Sequence, residues 1–566
     1  MSALGGAAYG LLALAFSRML IRNLGGFFVL LAPAFGIGEK DTQTVARILA
    51  QLRSARIGSP WLWVLLAGAA LGAGLLFLLR NRKRKWLIPA LTGLLLLLPL
   101  SLGVLLASQI NGIRPLTVFT GGGEVPNYAP ETFETVGESW YFGFGQRQII
   151  PDGDSDDPLY IAGYNSGVEI TGVLDYCQAR AVWLDTGGEG ILIIGIDCVA
   201  LDSGTVSAIR QRLSDLPNCA GVNVYATHTH AGIDTLGLWG PLAVNGKNGS
   251  YMEALIQAAE EAGREAAASR KPGTLHYGVT QTWDMYRDSR DPQVYDENLY
   301  QLRFASADGK GLRMYFYGAH AESLRGANTL LSRDFPGVLC DNVTAATGDD
   351  TMFFPGAIGG LIMTKEFTQI PEEAVENRDI TAEKLVEYAL SIYGETELEP
   401  DLALSRKKFV VPMDNIAFLL LKALGILKNR PVPAESATGY GVETELSVLA
   451  LDGVAVALLP GEIFPELVLG GEYGRANING KNPRPLCKIA EEQGIETLII
   501  AGLVNDEIGY IVPPSDFLVN EKMPYLERTM DYKGEDHYEE TNSIGPECAG
   551  AVADAFAEAV KALGKS

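Results

Sequence analysis

Positive charge is scarce in this sequence, and its scarcity argues against one broad class of function. The 566 residues include 45 Lys and Arg against 68 Asp and Glu, which gives a formal net charge of −23. An acidic surface of this size repels phosphate backbones, so we expect no nucleic-acid partner. The six cysteines are too few for a disulfide scaffold in a chain of this length. Histidine is rarer still, with five in the whole chain, so each one can be assigned separately.

The basic residues that do occur are concentrated at the start of the chain. Residues 1–110 hold 11 Lys and Arg and 2 Asp and Glu, a net of +9, so the total of −23 leaves −32 for the rest. This asymmetry indicates two different environments. Two apolar stretches, 61–79 and 87–108, each come close to the roughly 20 residues that a membrane-spanning helix needs. Between them lies a basic run at residues 80–85.

A short loop as basic as this one remains in the cytoplasm. We therefore predict a transmembrane hairpin over residues 59–110, with the chain after it extracytoplasmic at the plasma membrane. A buried helical hairpin of a soluble protein is the alternative. A signal peptide does not fit, because a second span follows the first at once. Within residues 1–58, the short apolar segment 25–38 is either a third span or an interfacial helix.

The remainder of the chain alternates short β-rich runs with helical runs. This pattern predicts an α/β domain over residues 146–566, with mixed sheets and flanking helices, preceded by a tether with an entry strand at 111–145. Strands are expected at 181–184, 191–196, 222–226, 274–279, 312–317, 446–450, 454–459 and 497–500. Helices are expected at 204–213, 251–268, 380–393, 462–469 and 548–563, with an apolar helix at 415–427 that either packs in the core or rests on the membrane.

Two of the five histidines, His228 and His230, are separated by a single residue and follow a predicted buried strand. Side chains two apart in a strand point the same way, with Cα atoms roughly 6–7 Å apart. The two imidazoles could therefore bind one metal ion. The alternative is a pair of ordinary polar residues at a strand end, and the spacing alone leaves both interpretations open.

Further imidazoles and carboxylates follow other predicted strands, where catalytic loops commonly emerge. They are His320, Glu462 and Glu507, with His537 in an acidic run nearer the end of the chain. Each has an ordinary explanation alone, such as a helix cap for Glu462 or a surface position for His537. Together they form a donor set that suits zinc, and a zinc-bound water with a pKa of about 7 can attack an amide or ester carbonyl. His276 lies within a predicted strand, and we interpret it as structural.

Five separate segments, in a fixed order along the chain, resemble segments of one enzyme family. Residues 226–232, Ala-Thr-His-Thr-His-Ala-Gly, resemble the A-T-H-T-H-S-G signature of the neutral and alkaline (non-lysosomal) ceramidases. The other similar segments are 172–181, 320–337, 460–462 (Pro-Gly-Glu) and 502–510, and the resemblance covers most of residues 145–547. It implies the ceramidase catalytic α/β fold and a zinc ion that serves hydrolysis of the amide between a fatty acid and a sphingoid base. The implied ligands are histidines of the first two segments, the Pro-Gly-Glu glutamate and a tyrosine.

The sequence departs from the family pattern at positions that matter for this chemistry. Leu174 stands in place of the first histidine ligand, and Glu507 stands in place of the tyrosine ligand. Residues 356–360 replace the family's G-D-x-S-P-N, so that its serine corresponds to Gly359. The family's C-terminal immunoglobulin-like domain is not expected here, and the membrane spans are an addition.

These departures predict a rewired zinc site with His228, His230, Glu462 and Glu507 as ligands. The expected catalytic residues are His228 and one further imidazole, His320 or His537, for proton transfer or for an oxyanion. The expected function is hydrolysis, by a membrane-anchored extracytoplasmic enzyme with the bilayer as its partner, of an amide bond in ceramide or another N-acyl lipid. A hydrolase of another ester or of a small-molecule amide is an open alternative. A catalytically inactive ceramidase-like binding domain is the alternative, favoured by the lost serine.

Overall fold

The computed structural model describes residues 125–151, 158–241, 244–288, 290–360, 363–365, 367, 373–423 and 425–564. The predicted N-terminal segment, the predicted hairpin over 59–110 and the first part of the predicted tether lie outside these ranges. Apart from residues 420–425, the described residues belong to one compact unit. None of the helices described is both long enough and apolar enough to cross a bilayer.

The strands, in chain order, are β1 (Glu131–Val136), β2 (Trp140–Gln148), β3 (Gly172–Val173), β4 (Gln178–Asp185), β5 (Gly190–Ile196), β6 (Cys219–Ala226), β7 (Lys271–Gln281), β8 (Tyr286–Arg287), β9 (Asn298–Ser306), β10 (Leu312–Tyr317), β11 (Leu330–Leu331), β12 (Asp350–Pro355), β13 (Met363–Thr364), β14 (Thr396–Leu398), β15 (Asp401–Met413), β16 (Arg430–Pro433), β17 (Tyr440–Leu451), β18 (Val454–Leu458), β19 (Glu462–Ile463), β20 (Thr497–Ala501), β21 (Tyr510–Ile511), β22 (Thr529–Met530) and β23 (Asp536–His537).

The helices are α1 (Ser203–Arg212), α2 (Gly249–Ala268), α3 (Asp334–Thr347), α4 (Ala374–Leu390), α5 (Ile416–Ala423), α6 (Pro465–Leu469), α7 (Leu486–Glu492) and α8 (Cys548–Leu563), with short 3-10 turns at Pro514–Asp516 and Glu539–Asn542. Side-chain caps begin the first two: Asp202 accepts from the Thr205 amide, and Asn248 accepts from the Tyr251 amide.

Most strands belong to two mixed sheets. The nine-stranded sheet runs β12-β10-β9-β7-β2-β4-β5-β6, with β14 paired to β7. The six-stranded sheet runs β1-β15-β17-β18-β20, with β16 paired to β17. Within these two sheets the pairs β5–β6, β10–β12 and β18–β20 are parallel. All other neighbouring strands of the two sheets are antiparallel. This arrangement confirms the predicted mixture of sheets in an α/β domain.

The two large sheets face each other across an apolar core. Strand β4 shows why, because it is buried on both sides. Val182 and Leu184 pack with Leu404 and Leu449 of the other sheet, whereas Trp183 points to the opposite side and packs with α1 and α2. A strand that is apolar on both sides is typical of a sheet covered on both faces.

Helices cover the outer faces, so the domain has four layers in the order α/β/β/α. Helices α1 and α2 cover one part of the nine-stranded sheet, and α3 and α4 cover β10 and β12. Small residues of α2, Ala259, Ala262 and Ala266, are fully buried and allow this helix to approach the sheet closely. Helix α8 packs on β15 and β17 of the six-stranded sheet.

All eight expected strands are present in the structure, each within two or three residues of its expected limits or extended beyond them. Two expected helices are wrong at their starts. The helix expected at 380–393 begins six residues earlier, at Ala374. Glu462 and Ile463 form strand β19, which pairs with β21, so the helix expected at 462–469 begins only at Pro465. The folded region also begins earlier than residue 146, because β1 pairs with β15 and β2 pairs with β4.

The two edges of the nine-stranded sheet approach each other. The ring of Tyr225 on β6 stacks on Phe354 of β12 at a centroid distance of 4.2 Å, and the Tyr225 hydroxyl donates to the carbonyl of Phe353 at 2.8 Å. Because β12 lies beside β10, the loops that follow β6 and β10 meet. These are the loops that carry His228, His230 and His320.

Candidate metal centre

The His228–His230 pair lies just beyond the end of β6, not inside the strand. Thr227 follows the strand, and His228 has a positive φ of 65°, in the left-handed region that a non-glycine residue seldom adopts. The strand alternation used to predict that both side chains face one way is therefore not what aligns them. Even so, their Nε2 atoms lie 3.1 Å apart. The strained turn at His228 is what directs its ring toward His230.

A backbone bridge between two loops adds the third imidazole. Thr229 and Ala321 form an isolated parallel bridge, and the amide of His230 donates to the carbonyl of Ala321 at 2.9 Å. His320, which precedes Ala321, is thereby fixed beside the pair. Its ring centroid lies 4.7 Å from that of His228 and 5.7 Å from that of His230.

The three histidines form a compact cluster of potential ligands. One nitrogen from each of His228, His230 and His320 lies within 4.8 Å of the others. His228 is 3% exposed and His320 is 1% exposed, which removes most of the water that would otherwise compete for a metal. In the described part of the chain, this is the one group of three or more such side chains with that spacing.

Glu462 adds a carboxylate to the cluster. Its Oε2 atom lies 3.0 Å from Nε2 of His320 and 3.4 Å from Nε2 of His228. Burial opposes ionisation of this group, but the neighbouring imidazoles of His228 and His320 outweigh burial and lower the pKa of Glu462. The side chain is therefore a carboxylate at neutral pH. Pairing of β19 with β21 positions it, in register with Tyr510.

The orientation of the His228 ring and the low pKa of His230 fit a bound metal. The carbonyl oxygen of Val199 lies 2.8 Å from Nδ1 of His228, and because a carbonyl only accepts, that nitrogen carries a proton, which leaves Nε2 as the nitrogen that faces the cluster. Burial, and then the rings of His228 and His320, lower the pKa of His230 far below its usual range, so His230 is neutral. Three imidazoles with one carboxylate are a donor set that zinc accepts.

Glu507, which the sequence predicts as a ligand, does not belong to the histidine cluster. Its Oε1 atom accepts from the amide of Gly509 at 2.6 Å. Burial, and then repulsion by Glu462, raise the pKa of Glu507, so its carboxyl group holds a proton. The structure thus adds His320 to the candidate ligands, while Glu507 stays a prediction from the sequence.

His537, predicted as a candidate for proton transfer, faces a different set of groups. Its Nδ1 atom lies 2.8 Å from Oε1 of Glu540, and its side chain is buried. Glu540 in turn binds Arg290, which also binds Glu539 and Asp516. His537 therefore belongs to a buried ionic network and not to the histidine cluster.

His276 is on β7, as expected for a structural histidine. Its Nε2 atom is 2.8 Å from the hydroxyl of Thr274 on the same strand.

Two of the positions at which the sequence departs from the ceramidase pattern are Leu174 and Gly359, and the structure shows what each of them contacts. Leu174 is 38% exposed, and its amide donates to the carbonyl of Leu331. Gly359 donates its amide to the carbonyl of Ile463 at 2.9 Å, and a Cβ atom there would lie 2.4 Å from Cδ2 of Phe464. A side chain at position 359 would therefore collide with the segment that follows Glu462.

Two residues beside the cluster were missed by the sequence interpretation. Glu322 is buried, and its Oε2 atom lies 3.8 Å from Nδ1 of His230. Tyr164 packs its ring edge-on against His230 at 5.2 Å and donates its hydroxyl to Glu322 at 2.6 Å. Glu322 lies only two residues after His320, which is a weak signal, but nothing in the sequence connects Tyr164 to this site.

Two solved structures have a similar fold. Neutral ceramidase from Pseudomonas aeruginosa aligns with a TM-score of 0.58 and 18% identity, over 75% of this chain and 75% of that one. A ceramidase complexed with C2 aligns with a TM-score of 0.57 and 17% identity, over the same shares. The chain has a ceramidase-like fold. No family model and no curated protein sequence matches the chain, so the likeness to ceramidases is a likeness of fold.

Proposed function

We propose that this protein is a zinc-dependent hydrolase of an amide bond in ceramide or another N-acyl lipid. The observation that supports it best is the convergence of His228, His230, His320 and Glu462 in one buried cluster of a ceramidase-like fold. We further propose that the predicted hairpin over 59–110 anchors the enzyme in the plasma membrane, with the site outside the cell and the bilayer supplying the substrate.

Within this proposal, the four clustered side chains hold zinc, which when bound supplies a Lewis acid and an activated water. The chain's own groups do the rest. The Glu462 carboxylate lies 3.4 Å from Nε2 of His228 and 3.0 Å from Nε2 of His320, so that these donor atoms converge on one point. Burial of these groups keeps bulk water out and strengthens each charge interaction.

The phenol groups of Tyr510 and Tyr538 lie near the Glu462 carboxylate. Tyr510 is in register with Glu462, and its hydroxyl lies 3.4 Å from that of Tyr538. Burial, and then the charge of Glu462, raise the pKa of Tyr510, so this phenol keeps its proton. Neutral phenols are suitable donors to a carbonyl oxygen that gains charge during amide hydrolysis.

The alternative is a binding domain that keeps the fold and lacks the reaction. The surroundings of Gly359 favour it, because no side chain fits at the position of the family's serine. A hydrolase must therefore use other groups for the role of that serine, whereas a binding domain needs none.

Zinc quantitation combined with a lipid hydrolysis assay separates the two. The full chain, purified in lipid nanodiscs, is assayed for bound zinc and for fatty acid released from ceramides and other N-acyl lipids. We expect about one zinc per chain, release of fatty acid, and loss of release after chelation. His230→Ala should lose bound zinc and fatty-acid release. His276→Ala is the control: this histidine lies on β7, outside the cluster, so the variant should keep zinc and activity. Zinc without hydrolysis would favour the binding domain, and a metal-free wild-type protein would overturn the zinc site.

A further inference from the structure

Glu322 and Tyr164 form a hydrogen-bonded pair against one face of His230. The Tyr164 hydroxyl donates to Oε2 of Glu322 at 2.6 Å, and the same oxygen lies 3.8 Å from Nδ1 of His230. The Tyr164 ring meets the imidazole edge-on at a centroid distance of 5.2 Å. Two atoms here have no hydrogen-bond partner among the described residues: Nδ1 of His230 and Oε1 of Glu322.

The backbone that carries Tyr164 passes close to His230 and is hydrogen-bonded to the histidine loop. Gly163 has a φ of 108°, and a Cβ atom there would lie 2.6 Å from Cγ of His230, so the chain passes directly over the imidazole. The amide of Ala162 donates to the carbonyl of Gly232 at 3.0 Å, which ties this segment to the histidine loop. On the other side, the side chain of Asn165 donates to the carbonyl of Gly326.

An imidazole that binds a metal through one nitrogen carries its proton on the other, and that N–H needs an acceptor. His228 has one in the carbonyl of Val199. For His230, Nε2 faces His228, which leaves Nδ1 facing Glu322. A shift of under about 1 Å would convert this approach into a hydrogen bond.

We propose that Glu322 and Tyr164 are positioning residues that fix the tautomer and orientation of His230 for metal binding. Glu322 accepts the Nδ1 proton, and Tyr164 holds Glu322 in place through its hydroxyl while its ring limits rotation of the imidazole. The inference rests on the zinc site of the proposed function, but it does not require that the site hydrolyses a lipid.

Zinc affinity of the full chain, measured in nanodiscs by competition with a chromophoric chelator, tests the pair. We expect Glu322→Gln to weaken zinc binding by about 10–100-fold, the usual effect of losing the group that orients a ligand histidine. Tyr164→Phe keeps the ring and loses the hydroxyl, and should weaken binding by less than the roughly 10-fold lower limit for Glu322→Gln, because Glu322 remains. The matched controls, Glu435→Gln and Tyr393→Phe, lie at exposed positions and should bind zinc as the wild type does.

Unfolding of the metal-free variants distinguishes positioning from a merely structural role. A structural role would lower the unfolding midpoint and leave the zinc affinity of the folded protein unchanged, which would overturn the proposal. Wild-type zinc affinity in Glu322→Gln would overturn it as well, and wild-type affinity in Tyr164→Phe would remove Tyr164 from the pair. Zinc binding that depends on Glu322 in a protein without hydrolase activity would refute the proposed enzyme and retain this inference. A wild type that binds no zinc would refute both.

Discussion

A Cβ atom on Gly359 would lie 2.4 Å from Cδ2 of Phe464 and 2.7 Å from the peptide nitrogen of the same residue. Contacts this short force the backbone or the ring to move. We therefore expect Gly359→Ser to lower the free energy of unfolding by about 1–3 kcal/mol, the usual cost of overpacking, and to gain no hydrolase activity. Urea unfolding of the full chain measures the first effect. Gly249→Ser is the control, because a Cβ atom there meets nothing within 4 Å. A stable and more active Gly359→Ser would contradict this account.

Zinc should stabilise the folded protein through His320. Zinc at about 100 times its dissociation constant should add about 2.7 kcal/mol to the free energy of unfolding. We expect His320→Ala to lose most of this stabilisation and His276→Ala to keep it. Unfolding of the full chain with and without zinc provides the measurement. If Glu507→Gln loses the stabilisation and His320→Ala retains it, the ligand set first predicted from the sequence is the right one.

Arg290 should be among the most sensitive buried charges of the domain. Its side chain is 5% exposed and pairs with Asp516, Glu539 and Glu540, which are buried as well. Arg290→Met leaves these carboxylates without a cation, so we expect a loss of about 3–5 kcal/mol of stability in urea unfolding. Arg528→Met removes a pair in which the arginine side chain is 70% exposed, and it should cost less than about 1 kcal/mol. Equal effects of the two substitutions would argue against the network.

Glu466 should make the protein less stable as the pH rises. Burial, and then the charges of Asp288 and Asp516, raise the pKa of Glu466 to about 8. Because this value exceeds that of the unfolded chain, the folded state holds a proton that the unfolded state releases. The contribution of Glu466 is therefore complete at low pH and is lost as the pH rises through about 8, with a slope of up to about 1.4 kcal/mol per pH unit.

Glu466→Gln should remove this part of the pH dependence. Unfolding of the full chain at about pH 5.5 and about pH 8.5 should show a smaller loss of stability in the variant than in the wild type. Glu472→Gln, at an exposed position six residues later, should behave as the wild type does. A variant that loses as much stability as the wild type over this range would show that Glu466 is not the responsible group.

The sequence predicted the apolar strands of both sheets but not the long strand β15. Strands such as β5 are buried along their whole length and appear in the sequence as continuous apolar runs. Strand β15 contains Arg406, Lys407 and Lys408 in succession, which does not look like a strand of a sheet. It forms because β1 and β17 pair with it on both sides, and because partners accept its charges: Lys407 pairs with Glu558 of α8, and Arg406 pairs with Glu131 of β1.

In the candidate site, too, contacts between neighbours in the chain could be predicted from the sequence, and contacts between distant segments could not. His228 and His230 are neighbours in the chain, so their pairing could be predicted, although by the wrong geometric reason. The position of His320 depends on a backbone bridge between Thr229 and Ala321, which no local pattern reveals. The surroundings of His537 could not be predicted, because its acidic neighbours are also the partners of Arg290, which lies about 250 residues earlier in the chain.

The bridge between Thr229 and Ala321 also bears on whether zinc binds before or after the chain folds. The four candidate ligands are spread over residues 228 to 462, so a growing chain presents only the first two until two further segments have been synthesised and docked. Metal acquisition would then be a late event that follows folding. Isotopically labelled zinc, added to chains arrested before residue 462 and to full-length chains, would be retained only by the longer ones, because β21 must also be present to position Glu462.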